Sequence, residues 1–351
     1  MTIRDKNMVN LRELYEYFKK NSLSTSLSSH WAHVEDIQLE MFFEDPSLFD
    51  SFLRRNISVG INDISLGFAR DKWEKKNRSP EVVIPLSPEV IENDFKSFRK
   101  AFKALSLFEG CEYYRLLGSD IGGPYSTVQL STSNNNIVKT NYHEASLLYF
   151  ALRFRSYLLE NKSIRLVEIG GGFGGVIGNL LRLCSKKISA IWLIDLPVNL
   201  LLSYVYLKAL IKKYDLSFNL IAFDMEELKL VDRSIFFVPI DKVAQIPNFN
   251  AAVNTRSFME MSSVALEGYF SLIQDKMEID GLFFNINRLN KESDSEEIRL
   301  KDYPYDSRWE IIESTRSFQF NVWELFARRT KTPNNSMRYK LENLPPFVYN
   351  T

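Results

Sequence analysis

The stretch "LVEIGGGFGGVIGNLL", residues 166–181, decides the reading of this chain. Five glycines stand in six residues, Gly170 to Gly175, broken only by Phe173. An apolar run precedes them and a helix-like run follows. Glycine loses more backbone freedom on folding than any other residue, so such density needs a cause. The pattern suggests a backbone that something approaches too closely for a Cβ. Strand, glycine turn and helix in this order make a nucleotide-binding arrangement, with the ligand against bare backbone at a helix N-terminus.

Outward from the turn the alternation continues. "IRLVEI" and "ISAIWLID" read as strands, with helices over 174–184 and "PVNLLLSYVYLKALIKKY". "SIFFVPI", "NAAVNT" and "GLFFNINRL" add strands, and "MEMSSVALEGYFSLIQDKM" a helix. This alternation predicts an α/β fold with a doubly wound, mainly parallel sheet. "RWEIIES" and "VWELFARR" follow with no full helix between them, so an antiparallel C-terminal strand pair is expected. Upstream, residues 1–140 read mainly as helices and turns, a region placed to cover the acceptor side of a 141–351 cofactor domain. In "LSPEVIENDFKSFRKAFKAL", Ser87 caps, Pro88 suits the first turn and Glu89 complements the helix dipole. Ile91, Phe95, Phe98, Phe102 and Leu105 form one apolar stripe at helical spacing.

Composition narrows the class. Among 351 residues, Lys plus Arg and Asp plus Glu stand at 44 each, so no charge excess favours nucleic acid or an anionic membrane. No apolar run approaches the roughly 20 residues of a spanning helix. The N-terminal residues lack the apolar core of a signal peptide. Cys111 and Cys184 are the only cysteines, which fits a reducing cytoplasm. His30 and His33 in "HWAH" are spaced to share a helix face, yet no third ligand stands near, so no metal is expected.

Two cofactors fit the turn. Gly170, Gly172 and Gly175 match G-x-G-x-x-G, the dinucleotide fingerprint. Glu168, Gly170, Gly172 and Gly174, with Gly171 between, match E-x-G-x-G-x-G, the first motif of class I S-adenosylmethionine (AdoMet) methyltransferases. Either cofactor carries a ribose, which suits Asp195 and the following Leu196. Glu168 favours AdoMet, because a carboxylate suits its cationic methionine end and repels a pyrophosphate. The closing strand pair favours it too. "VPIDKVAQIPNFNAAVN" resembles the class I stretch with an acid after strand three, placing Ile240 and Asp241 at the adenine. Asp224 competes if "FNLIAF" is that strand. An NAD(P) reading and a purely structural glycine turn stay as alternatives.

"EIGGGFGG", "IDLPVNLLLSYVYL" and "NTRSFMEM", in this order and spacing, resemble bacterial sugar O-methyltransferases of surface-polysaccharide gene clusters. The resemblance runs over roughly residues 115–290, and "GGPY" at 122–125 matches a turn that precedes the family's cofactor domain. It implies methyl transfer from AdoMet, leaving S-adenosylhomocysteine, to a hydroxyl of a sugar, nucleotide sugar or glycan. Rivals are an NAD(P)-dependent sugar oxidoreductase or epimerase, and a non-catalytic AdoMet-fold binding protein. A sugar hydroxyl is a poor nucleophile, so a base is expected. His143 is a candidate; its plainer role is a hydrogen-bonded histidine at a helix start. Glu260 is the other; its plainer role is a capping box with Ser257. Asn254 and Arg256 end the preceding strand, where they could bond the methionine carboxylate or a sugar.

Overall fold

A computed structural model describes residues 10–22, 39–54, 86–108, 113–131, 136–160, 162–222, 233–292 and 297–345. His30, His33, Cys111 and Asp224 lie outside these residues. The N-terminal helices are α1 (Leu11–Lys20), α2 (Glu40–Glu44) and α3 (Pro88–Leu105), with a 3-10 segment at Pro46–Arg54. Ser87 caps α3 as its sequence predicts, its hydroxyl accepting from the Val90 N–H at 3.3 Å. The buried stripe keeps Phe98 and Leu105 as expected but takes the preceding residue at the other three positions. Val90, Asp94, Phe98, Ala101 and Leu105 are buried, whereas Ile91 and Phe95 are 39% and 46% exposed. Asp94 explains the shift: it accepts from the Thr127 hydroxyl and the Tyr142 N–H, and so must face inward.

The "STVQL…NNNIVKT" region is not only turns. Val128–Ser131 (β1) and Ile137–Thr140 (β2) pair as an antiparallel hairpin. Tyr142–Leu158 (α4) follows, capped by Asn141, and leads into Ile164–Ile169 (β3).

Then come α5 (Gly175–Cys184), β4 (Ile188–Ile194), α6 (Pro197–Lys213), β5 (Asn219–Ala222), β6 (Ser234–Val238) and β7 (Phe249–Thr255). After them stand α7 (Ser263–Lys276), β8 (Met277–Arg288), the short β9 (Asn290–Glu292) and β10 (Glu297–Arg299), β11 (Trp309–Arg316), β12 (Val322–Arg329) and α8 (Ser336–Glu342). Eight strands form one sheet in the order β11-β12-β8-β7-β3-β4-β6-β5. From β8 to β5 all neighbours are parallel, and β12 is antiparallel to both β8 and β11. The expected closing pair is therefore present. β5 lies at the outer edge, so "SIFFV", not "FNLIA", is the third strand counted outward from β3.

Strands β3 and β4 are buried along nearly their whole length, as a sheet covered on both faces requires. One apolar cluster joins Leu148, Ile177 and Leu201 to Leu14, Phe18, Phe42, Phe52 and Phe98, so the described N-terminal elements share a core with the helices on that face. A second cluster, with Phe258, Phe270, Phe283 and Trp309, fills the other face. Among the described residues no helix is long and apolar enough to cross a membrane.

Candidate cofactor and acceptor site

The glycine turn leaves β3 at the carboxyl edge of the sheet, beside the end of β4. The Gly170 N–H bonds the Ile194 carbonyl at 2.8 Å, fastening the turn to that strand. Gly170, Gly172 and Gly174 have φ of 67°, 60° and 82°, a left-handed backbone that side chains disfavour. The three central glycines serve different ends. A Cβ at Gly170 would fall 2.0 Å from the Ser257 hydroxyl oxygen, and one at Gly171 2.3 Å from Glu168 Oε2. A Cβ at Gly172 would meet nothing within 4 Å. Gly172 alone of the three opens onto free space, where a ligand has access to the backbone.

Three carboxyl groups surround this turn. Glu168 is buried, and neither of its oxygens has a hydrogen-bond partner. Burial, with the nearby Asp195 charge, pushes its pKa up to about 8. Asp195 is half-buried and accepts from Gly172 N–H at 2.8 Å, its own neighbour Leu196 N–H at 2.7 Å and Asn199 Nδ2 at 2.8 Å. Its enclosure still holds its pKa up at about 6, against those three donors and with Glu260 adding to the rise. Asp195 thus clamps the loop in this structure, and a carboxylate's four lone-pair sites leave room for a further donor. Leu196 precedes α6, and the Ser203 hydroxyl of that helix bonds the Gly172 carbonyl at 2.7 Å.

Ile240 and Asp241 follow β6, with Ile240 buried and Asp241 exposed. The end of α1 crosses here: the Asp241 N–H bonds the Asn21 carbonyl at 3.1 Å.

Asn254 differs from expectation. It is fully buried, and its amide donates to the Ile169 carbonyl at 2.8 Å and to Ser257 Oγ. Its oxygen accepts from Asn287 Nδ2 at 2.8 Å and the Phe258 N–H at 3.3 Å. All its polar capacity goes to protein, so it braces the site instead of reaching a ligand. Asn287 continues to Asn285, whose amide reaches the Tyr305 hydroxyl at 2.7 Å. This asparagine ladder went unread in the sequence, although two asparagines at period two in the apolar "GLFFNINRL" were its signal.

The Ser257–Glu260 capping box does not form. The Ser257 hydroxyl bonds the Ile169 carbonyl at 3.1 Å, and α7 is capped by Ser262 through the Ala265 N–H at 3.3 Å. Glu260 lies on a 3-10 turn, half-buried, close enough to Asp195 to raise its pKa. His143 is buried on the first turn of α4, tilted against Phe173 with ring centroids 5.8 Å apart. Its Nε2 has no partner, so the bonded-histidine role is not seen either. Burial and then the nearby Arg256 lower its pKa to about 3, which keeps the imidazole neutral. Arg256 follows β7 with φ of 63°, its N–H on the Ile286 carbonyl at 2.6 Å.

No protein-family model matches the chain, and no curated protein matches it. Solved structures do. TehB from Haemophilus influenzae is 15% identical over 51% of this chain and 62% of its own, less than two thirds of its length, with a TM-score of 0.36. The N-methyltransferase NodS from Bradyrhizobium japonicum WM9 is 9% identical, over 52% of this chain and 95% of its own, with a TM-score of 0.35. The mitomycin 7-O-methyltransferase MmcR is 12% identical, over 69% of this chain and 70% of its own, with a TM-score of 0.34. The chain's own topology, a mainly parallel sheet closed by antiparallel β12 with a glycine turn after its central β3, is a Rossmann-like α/β fold, the architecture of class I methyltransferases.

Proposed function

We propose that this chain is an AdoMet-dependent O-methyltransferase whose acceptor is a sugar hydroxyl, in a surface polysaccharide or its precursor. The observation that carries the cofactor is Glu168. Two buried carboxyl oxygens without a partner are costly unless a cation or donor reaches them. Asp195 and Glu260, with Glu168 able to give up its proton when a cation reaches it, favour a positively charged ligand beside Gly172 over the pyrophosphate of a dinucleotide. The chemistry such a cofactor supplies is a methyl group on a positively charged sulfur. Asp195 has acceptor capacity for a ribose hydroxyl, and Gly172 admits close contact. Ile240 and Asp241 stand at the edge where an adenine would lie.

On the acceptor side, His143 offers a neutral nitrogen without a partner. A base this weak serves best by accepting a hydrogen bond and aligning the hydroxyl, since the most effective proton acceptors titrate near the working pH. Support for a sugar comes from the resemblance carried by "IDLPVNLLLSYVYL" and "NTRSFMEM". The test is to incubate the protein with methyl-labelled AdoMet and a panel of hexoses, nucleotide sugars and glycans. Label in a sugar product is expected. AdoMet binding with no transfer to any member would leave a binding protein and contradict the enzyme reading.

A further inference from the structure

Arg256 is a cation set into the carboxyl edge of the sheet, directly beyond Thr255, the last residue of β7. Its neighbour Ser257 packs on Gly170, where a Cβ would come 2.0 Å from the hydroxyl oxygen. His143 flanks the same glycine turn from α4, its ring 5.8 Å from that of Phe173. Arg256, half-buried, and His143, buried, thus border one turn from two different elements. The Arg256 charge registers at His143, where it adds to burial in keeping the imidazole neutral. It does not register at Glu168, whose pKa is set by burial and Asp195. The guanidinium therefore serves the His143 side of the site and is not the counter-ion of the buried glutamate. Its backbone is left-handed, with φ of 63°, and its N–H is fixed on the Ile286 carbonyl at 2.6 Å. Glycine or asparagine takes that conformation at less cost than arginine does, and such strain gathers where a side chain has a task.

We propose that Arg256 makes the acceptor side selective for an oxyanion: the acceptor carries a carboxylate or a phosphate close to the hydroxyl that is methylated. The proposal deepens the methyltransferase reading given above and rests on it. The planar fork of an arginine matches two oxygens of either group, and the pair is charge-assisted. Arg256 has contacts within the protein, and the five N–H donors of a guanidinium let it keep a partner and pair with a second. At a half-buried position the attraction is screened less than on the open surface. His143 Nε2, on a residue 8% exposed and with no protein partner, is left for the hydroxyl. A fork for the anion and a nitrogen for the neighbouring hydroxyl hold the acceptor at two points, the alignment that in-line transfer requires.

The test is saturation-transfer NMR on the full chain, with and without S-adenosylhomocysteine, titrating acetate, methyl phosphate and acetamide, the neutral isostere of acetate. At least one anion should bind about tenfold or more tightly than acetamide, the worth of a charged hydrogen bond. A preference for acetate identifies a carboxylate on the acceptor, and a preference for methyl phosphate a phosphate. Arg256→Asn, which suits the left-handed backbone, should erase the advantage of the anion. Arg256→Lys keeps the charge without the fork and should retain part of it. AdoMet affinity should stay within about threefold of wild type in both variants. If Arg256→Asn does not fold, phenylglyoxal labelling of the wild type replaces it, and the bound anion should slow modification of Arg256 in the peptide map. The proposal is overturned if neither anion outbinds acetamide, if Arg256→Asn leaves the preference intact, or if the anion does not protect Arg256. It is also overturned if Arg256→Asn weakens AdoMet as much as the anion, which assigns the guanidinium to the cofactor's own carboxylate. A wild type that binds the anion at Arg256 but no AdoMet sinks the methyltransferase reading and keeps the oxyanion site. AdoMet binding with no preference for an anion does the reverse.

Discussion

Glu168 sits one Cβ width beneath the glycine turn, and Gly171 exists in part to admit it. That contact was not legible in the sequence. The five glycines announced a turn that needs bare backbone, but only Gly172 faces open space. Gly170 yields to Ser257, four strands further along the chain, and no local pattern records such a neighbour. A buried acid with a raised pKa has a stability consequence of definite sign. The folded state holds the Glu168 proton up to about pH 8, whereas the unfolded chain releases it near the ordinary value of 4.5. Its contribution is thus fully present below pH 4.5 and is lost as pH rises through about 8. Glu168→Gln keeps a neutral side chain there. Thermal melts of the cofactor-free proteins should show the variant gaining on the wild type between pH 5 and 8, then levelling. A difference that stays flat across that range would mean Glu168 ionises at no cost. Binding of a cation at this carboxylate should likewise tighten as pH rises toward 8.

At the scale of elements, strand-helix alternation from β3 onward was legible because β3, β4 and β6 are buried nearly throughout and several helices begin on a clear signal. Pro197 starts α6 and Ser87 starts α3 in this way. The β1–β2 hairpin was not, since its strands are four residues each and one of them is mostly exposed. Nor was the start of α7, where two serines compete. Ser262 takes the cap, because Ser257 is held by the carbonyl of Ile169 on another strand. The same carbonyl accepts from Asn254, so β3, β7 and the turn after β7 are locked at one point. Asn254→Ala would leave one Asn287 amide hydrogen and the Phe258 N–H unpaired in a dry interior, at about 1–3 kcal/mol for each group left unsatisfied. A fall of several degrees in the melting temperature of the cofactor-free protein is expected. An unchanged melting temperature would return Asn254 to the role of a ligand contact.

Across the whole molecule, the N-terminal elements do more than decorate the cofactor fold. Phe18 of α1 meets Phe237 of β6 at 6.4 Å, and Phe52 meets Phe173 of the turn at 5.9 Å. The Arg54 guanidinium holds the Pro124 carbonyl at 2.9 Å, tying the 3-10 segment to the "GGPY" turn. The 3-10 segment, the turn and the sheet edge are therefore one packed unit, and the sequence, which carries no period linking residue 52 to 173, was silent on it. The proposed function requires the backbone at Gly172 to receive AdoMet beside Glu168. It is tested most directly by calorimetric titration of AdoMet into the wild type and Gly172→Val, with NADH titrated in parallel. AdoMet should bind the wild type, fail to bind the valine variant, whose side chain fills the open space, and be matched by no NADH binding. AdoMet affinity unchanged by Gly172→Val, or NADH bound where AdoMet is not, would contradict the account.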